Sequence, residues 1–317
     1  SAELSPQVAW ASWQLARRLS AHPVEVVHAH TRVAQMVAHA LWKRTGIPYV
    51  ATWHGFYRRR LSRRWWPCTG RVTIAISEPV ARHLTEVFGV SEGRIRLIPH
   101  GVDLAPFAHP VAPTEQHTLR ERLRLRAEGP VIGTVTRLVS DKGVDQLLEG
   151  FRHLRARLPR ATLLVVGDGA DRGRLEQLAG RLGVAEAVRF TGAMPETRPA
   201  FSVMDVFVFL PATKEGFGLT LLEAMASRLP IVAIHRGGGA PWLLEESRVG
   251  LTVAPDHPEQ LAEALLRVVE DPAYARQLAS HGWEVVKTRY DVVREVDQIE
   301  TLYRECLRGT TVEHRGT

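Results

Sequence analysis

Residues 131–158 read VIGTVTRLVSDKGVDQLLEGFRHLRARL, and the fold follows from this stretch. A β-branched run at 131–136 gives way to a polar turn holding Gly143. Apolar positions then recur at Val144, Leu147, Leu148, Phe151, Leu154 and Leu158, the spacing of one helical face. A short buried strand feeding a helix through a tight turn is a βα unit, and such units build parallel sheets flanked by helices.

Downstream the pattern repeats. Strands are predicted at 162–166, 188–190, 206–210, 231–234 and 251–253, and helices at 144–158, 172–182, 219–227, 258–270, 272–288 and 292–307. Upstream, strands are predicted at 24–29, 49–52, 72–76 and 95–98. Helices at 31–44 and 78–88 lie between them, the second opened by Ser77 as N-cap, and a further helical pattern covers 4–19. A proline-rich, aperiodic stretch at 106–113 reads as a linker. The expected architecture is α/β with two Rossmann-like, doubly wound domains. The first spans 1–110 and the second 111–290, followed by a helix at 291–308 and a disordered tail at 309–317.

Composition bounds the function. The 317 residues suffice for two domains, and 45% hydrophobic with 24% charged residues is the balance of an ordinary globular chain. No apolar run approaches the ~18 residues of a membrane span, and the start carries no basic segment followed by an apolar one. The expected location is the cytoplasm. Cys68 and Cys306 are far apart and lack CxxC spacing, which points to neither a disulfide framework nor zinc. The net charge of +7 is unevenly placed: residues 1–110 carry 14 Lys and Arg against 6 Asp and Glu, the remainder 27 against 28. A basic first part suits nucleic acid, an anionic membrane or a phosphorylated acceptor. Its aromatic residues are not interleaved with basic ones as single-strand platforms require, which argues against nucleic acid. Between Arg58 and Trp66 the sequence RRRLSRRWW sets five arginines before two tryptophans. Basic residues contribute about 1 kcal/mol each near an anionic surface and tryptophan prefers the interface, so peripheral membrane attachment is expected here. A solvated loop whose arginines hold acceptor phosphates is the alternative.

Several residues carry chemistry. Arg137 closes the 131–136 strand and Lys142 stands at the mouth of the next helix. Ligands of open α/β sheets bind beyond the strands' carboxyl ends, where helix starts also favour phosphate, so the two cations read as a diphosphate clamp. They read equally as two solvated surface cations. In KEGFGLTLLE, residues 214–223, Glu215 follows a strand, Gly216 and Gly218 permit close backbone approach, and Glu223 lies a turn into the next helix. Carboxylates there can accept hydrogen bonds from sugar hydroxyls, although Glu223 also suits a helix start on dipole grounds. Gly167, Gly169 and Gly173 miss the dinucleotide spacing by one and read better as a helix-entry turn. Gly237, Gly238 and Gly239 can form a nest of backbone N–H groups. In the first part His54 ends a strand and is expected to face an interdomain cleft, a core histidine being the alternative. His28 and His30 share a strand face, but no third metal ligand is near in sequence. No GxSxG, HExxH or Walker A pattern occurs.

In this order the motifs HAHTR (28–32), TWHGFY (52–57), IAISE (74–78), IPHGVD (98–103), Arg137 with Lys142, VVGDG (165–169), EGFG with Glu223, EAMA and the GlyGly loop resemble glycosyltransferase family 4. These are retaining enzymes of GT-B fold, many of which build lipopolysaccharide and other cell-envelope glycans. The resemblance spans nearly all of 24–308. It implies that Arg137 and Lys142 hold the donor diphosphate, Glu215 the donor sugar and Glu223 the ribose. It also implies that Gly167 and the segment Gly216, Phe217, Gly218 and Leu219 line the donor site, with His54 on the acceptor side. A nucleotide-sugar donor, UDP-linked before GDP-linked, is implied, with no metal and no further cofactor. The acceptor implied is a lipid-linked, lipopolysaccharide or other envelope glycan, and the last helix would cross back to the first domain. Two departures stand out. Pro241 is followed by Trp242 where the family usually has glutamate, and the family's first βα units have no counterpart, as if the chain began partway through the first domain. A sugar-nucleotide epimerase of the same fold and a catalytically dead nucleotide-sugar scaffold remain as alternatives.

Overall fold

The computed structural model describes residues 6–58, 67–126, 128–211 and 214–313, with side chains as far as 308. The segment 59–66, which holds most of the expected membrane contact, lies outside the described residues, as do 314–317. The chain divides into two units, one of residues 1–100 with 293–317 and the other of 101–292.

In the first unit, β1 (Val27–Ala29), β2 (Tyr49–Trp53), β3 (Val72–Ala75) and β4 (Ile95–Leu97) form, among the described residues, a parallel sheet in the order β1-β2-β3-β4. The helices are α1 (Pro6–Ala21), α2 (Arg32–Thr45) and α3 (Glu78–Phe88). The Thr31 and Ser77 hydroxyls cap α2 and α3 by accepting from the backbone N–H of Ala34 and Val80, and Gly46 and Gly89 end these helices in left-handed conformation.

In the second unit, the strands are β5 (Val131–Val135), β6 (Thr162–Val166), β7 (Val188–Phe190), β8 (Val206–Phe209), β9 (Ile231–Ile234) and β10 (Gly250–Val253). They form a parallel sheet ordered β10-β9-β8-β5-β6-β7. Its helices are α4 (Pro113–Arg122), α5 (Val144–Arg157), α6 (Arg172–Arg181), the short α7 (Arg198–Phe201), α8 (Leu219–Ala226), α9 (Gly239–Ser247), α10 (Pro258–Glu270) and α11 (Pro272–Arg289). Strands β5, β6, β8 and β9 are buried along their whole length, as their mostly apolar sequences suit in a sheet covered on both faces. Leu147, Leu148 and Phe151 of α5 pack into one core with Leu163, Val165 and Val208.

The final helix, α12 (Val292–Glu313), belongs to the first unit, where Leu302 and Cys306 pack against Val50, Ile74 and Ile98. Both cysteines are free and buried. Three features differ from the sequence reading. Helix α12 continues to Glu313, so the tail expected to be disordered is helical over 309–313. Helices α4 and α9 were absent from that reading, because Pro113 and a Gly-Gly-Gly-Ala-Pro run argue against helix. Each proline sits in a first turn, where its missing N–H costs no hydrogen bond. The chain passes between units at 100/101 and 292/293 rather than within the proline-rich 106–113. There Val102 donates to the Tyr290 carbonyl at 2.8 Å and Val292 to the Val102 carbonyl at 3.1 Å. Gly101 leaves no room for a Cβ, which would lie 2.5 Å from the Val292 backbone.

Candidate functional site

In the second unit β5 neighbours β6 on one side and β8 on the other, so the winding direction reverses between β5 and β8. Such a switch point splays the strand-to-helix loops apart and leaves room for a ligand at the strands' carboxyl ends. Arg137 and Lys142 stand on the loop leaving β5. That loop is held from the β6 side: Thr136 donates to the Val166 carbonyl at 2.9 Å and Leu138 to the Asp168 carbonyl at 2.9 Å. The approach is tight enough that a Cβ on Gly167 would sit 1.9 Å from the Thr136 carbonyl oxygen, and one on Gly169 2.3 Å from that of Leu138. Gly167 already donates its N–H to the Gly192 carbonyl at 3.0 Å. Its role in the fold is to seat the Arg137 loop.

Arg137 is exposed, whereas Lys142 ends a short 3-10 turn, Ser140–Lys142, and is half-buried. Gly143, at φ 64°, then turns the chain into α5. Burial holds Lys142 below the ordinary lysine range, with Asp141 opposing and Arg137 reinforcing the shift. Its ammonium donates to Glu215 Oε1, and the two side chains are only 19% and 18% exposed. Lys142 from the β5 loop and Glu215 from the β8 loop therefore meet across the switch point.

Glu215 is also tied to the β9 loop, bridging in parallel to Gly238 and accepting from the Gly239 N–H at 2.8 Å. The glycine run was expected to offer a nest of free N–H groups, but this one is spent on Glu215, and Gly239 begins α9. Gly218, at φ 109°, starts α8, and a Cβ there would press on the Phe209 ring at 3.0 Å. Phe217 is buried against Tyr290 in an edge-to-face contact at 5.7 Å, so its ring serves packing, whereas Leu219 is 51% exposed. Glu223 is half-buried, and burial raises its carboxyl above the usual range while a Thr197 side-chain hydrogen bond opposes that shift.

The first unit gathers histidines at the carboxyl ends of its strands. His28 bonds Tyr303 Oη at 2.6 Å through Nδ1 and Thr52 Oγ1 at 2.7 Å through Nε2. His30 Nδ1 lies 3.2 Å from His54 Nε2, and His54 Nδ1 lies 3.1 Å from His100 Nε2. His100 Nδ1 reaches Glu295 Oε1 of α12 at 2.9 Å. Burial, then the neighbouring histidines, lower His28 and His54 to about 4, with Glu295 opposing at His54. Among the described residues no group of three or more His, Cys, Asp or Glu side chains is arranged to hold a metal ion. Both nitrogens of His54, the expected acceptor-side residue, are engaged.

Sequence reasoning missed His100, Glu295, Tyr303 and Thr197. His100 lay inside a quoted motif without a role. Glu295 is 195 positions from its partner on a helix whose apolar periodicity says nothing of where its carboxylates point.

Comparison with known proteins agrees with this architecture. Residues 115–284 match the family described as glycosyl transferases group 1, and residues 2–106 match glycosyltransferase family 4. A lipopolysaccharide core biosynthesis glycosyltransferase, LpsE, of Rhizobium meliloti is 35% identical over 53% of this chain and 47% of its own length. A D-inositol 3-phosphate glycosyltransferase of Acidothermus cellulolyticus is 30% identical over 89% of this chain and 67% of its own. The chain spans about half the length of several of the curated relatives it matches. Among solved structures, Anabaena Alr3699/HepE in complex with UDP and glucose superposes with a TM-score of 0.82 at 25% identity, covering 95% of this chain and 82% of that one. A glycosyltransferase from Rickettsia africae gives 0.86 at 20% identity, covering 95% and 81%. With the group 1 match covering more than half of the residues, the chain belongs to the glycosyl transferases group 1 family and has the GT-B arrangement of two Rossmann-like α/β domains.

Proposed function

We propose that this chain moves a sugar from a nucleotide-sugar donor to a hydroxyl acceptor with retention of anomeric configuration. The observation that carries the reading is the meeting of Lys142 and Glu215 across the β5/β8 switch point. A half-buried ammonium beside an exposed guanidinium is suited to a diphosphate, whose charge grows as the glycosyl bond breaks. Arg137 and Lys142 take that role, and no divalent metal is required for it. Glu215 then exchanges its lysine partner for hydroxyls of the donor sugar. Glu223, raised by burial yet hydrogen-bonded, receives the ribose hydroxyls. The backbone of Gly216, Phe217, Gly218 and Leu219 lines the donor, and Gly167 keeps the Arg137 loop in register.

UDP is preferred over GDP in this reading because a structural neighbour binds UDP and glucose, although several relatives are named GDP-mannose-dependent. The acceptor is assigned to the first unit, at His54, and its class to lipid-linked or envelope glycans on the strength of relatives that act in lipopolysaccharide and phosphatidylinositol mannoside synthesis. Peripheral attachment to the cytoplasmic face of an anionic membrane through 58–66 belongs to the same proposal. No helix among the described residues is long and apolar enough to cross a membrane.

Calorimetry with UDP, GDP and UDP-glucose, followed by UDP release with and without added glycan acceptors, tests the reading. Donor binding with acceptor-dependent release is expected. Epimer formation without release, or binding without any turnover, would replace it with an epimerase or a scaffold.

A further inference from the structure

The sequence RERLRLR, residues 120–126, leaves helix α4 with arginines alternating with leucines. Leu125 is buried, while Arg122, Arg124 and Arg126 are exposed. One guanidinium seats this turn on the outer strand of the second unit's sheet. Arg189 of β7 donates to the carbonyls of Leu123 at 3.1 Å, Arg124 at 3.4 Å, Glu186 at 2.8 Å and Val188 at 3.1 Å. Between the turn, β7 and α6 lies a cavity of about 400 Å³, lined by Arg122, Arg124 and Arg189 together with Ala179, Val188 and Phe190.

The positive charge of this lining is not matched by carboxylates. Among the described residues the guanidiniums of Arg122 and Arg124 make no ion pair or hydrogen bond. Arg189 is partly buried, and the hydrogen bonds of its guanidinium go to carbonyl oxygens and to no carboxylate. Burial holds it below the ordinary arginine range, with Arg126 and Arg124 reinforcing the shift and Glu186 opposing it. The carboxylate in the lining, Glu176, is taken up by Arg172 Nε at 2.9 Å. Cations gathered in a concave, partly dry place raise the local potential and favour an anion there. The backbone adds an independent observation. Arg124 sits at φ 49° just past the end of α4, where glycine would be free of strain, so a guanidinium is kept at a position that the fold alone would give to glycine.

We propose that this cavity is a second anion site of the chain and takes a small phosphate-bearing molecule. Arg122 and Arg124 close on the phosphate oxygens, and the apolar wall of Ala179, Val188 and Phe190 receives the organic part. Phosphate is favoured over a single carboxylate because guanidinium forks pair with several oxygens at once and the cluster carries more than one uncompensated charge. A volume of about 400 Å³ is within the range of small-molecule sites. The site is separate from the proposed diphosphate clamp, since β6 stands between β7 and β5 and it is from β5 that Arg137 and Lys142 lead away.

Calorimetric titration of the whole chain at low salt, with inorganic pyrophosphate and with AMP as probes, tests this. The double variant Arg137→Ala with Lys142→Ala, which disables the clamp, should still bind one equivalent of either probe. Adding Arg122→Gln and Arg124→Gly should weaken that binding about 10-fold or more. Glycine suits the backbone at Arg124, so the urea midpoint of Arg124→Gly should hold or rise, which separates lost binding from lost folding. A clamp variant that binds neither probe, or one whose binding is untouched by Arg122→Gln with Arg124→Gly, overturns the proposal. Pyrophosphate binding without AMP binding would deny the apolar wall its role and overturn the assignment to an organic phosphate. A parent that binds a single equivalent, lost with Arg122 and Arg124 but kept without Arg137 and Lys142, would leave this site standing and refute the clamp.

Discussion

Replacing Lys142 by alanine and Glu215 by glutamine should shift nucleotide binding in opposite directions. In the free protein the two side chains neutralise each other, each with only about a fifth of its surface in water. A diphosphate must therefore compete with Glu215 for the ammonium, and the gain from Lys142 is less than that of an unpaired lysine. Truncating one partner of a buried charge pair costs about 2–5 kcal/mol. With this competition and the remaining solvent access, the low end applies, and Lys142→Ala should weaken UDP by about 2 kcal/mol, roughly 30-fold. Glu215→Gln removes the competitor, so UDP should bind a few-fold more tightly. The margin by which UDP-glucose outbinds UDP should shrink, because a charged acceptor for the sugar hydroxyls is gone. Isothermal calorimetry on the parent, both single variants and the double variant reads all of this. If Lys142→Ala binds UDP as the parent does, or if Glu215→Gln weakens UDP as much as Lys142→Ala, the competition argument is wrong.

Gly167→Ala should destabilise the second unit by about 2–4 kcal/mol, since the backbone is held at φ 133° and the new Cβ would meet the Thr136 carbonyl. Gly173→Ala, inside α6 with no atom within 4 Å of the new Cβ, should stabilise by about 0.5–1 kcal/mol; denaturant unfolding separates the two. Leu302→Ala, at 3% exposure in the first unit's core, should cost about 2–4 kcal/mol and speed hydrogen exchange in β2 and β3 more than in β5. His28 and His54 have folded pKa values of about 4, below the ordinary 6.5, so the unfolded chain binds protons first as pH falls. Their contribution to stability is intact above about pH 6.5 and is lost as pH drops toward 4, on the order of 2 kcal/mol together after allowing for the solvent that reaches both rings. Urea titrations at pH 7.5 and 4.5 on the parent and on His28→Asn check the sign.

How far the sequence could be read depended on where the signal was local. Short, mostly apolar and β-branched runs bounded by turn residues located β5, β6, β8 and β9, and Ser77 marked the start of α3 through its cap. Helix α9 was hidden because its glycines and proline are legitimate only at a helix start, a fact that depends on the bond from Gly239 to Glu215. At the site, the residue types at Arg137, Lys142, Glu215 and Glu223 were legible, but the direct Lys142–Glu215 contact was not, since it joins loops 73 positions apart. The file of hydrogen-bonded histidines in the first unit was beyond reach for the same reason. His30 and His54 were each singled out at a strand end, but their link was not legible, and the further partners His100 and Glu295 come from the loop after β4 and from α12. Gly167 was legible as a turn glycine, but its tight seat against the Thr136 carbonyl was not, since that contact joins the loops after β5 and β6.

The central claim, transfer of a glycosyl group with retention, is tested most directly by the anomeric outcome. UDP-glucose labelled with ¹³C at the anomeric carbon should give UDP together with a new C1 signal whose one-bond C–H coupling is that of an α-glucoside, growing with added acceptor. A β-linked product would contradict the retaining mechanism, and labelled donor left intact under saturating acceptor would contradict transfer itself.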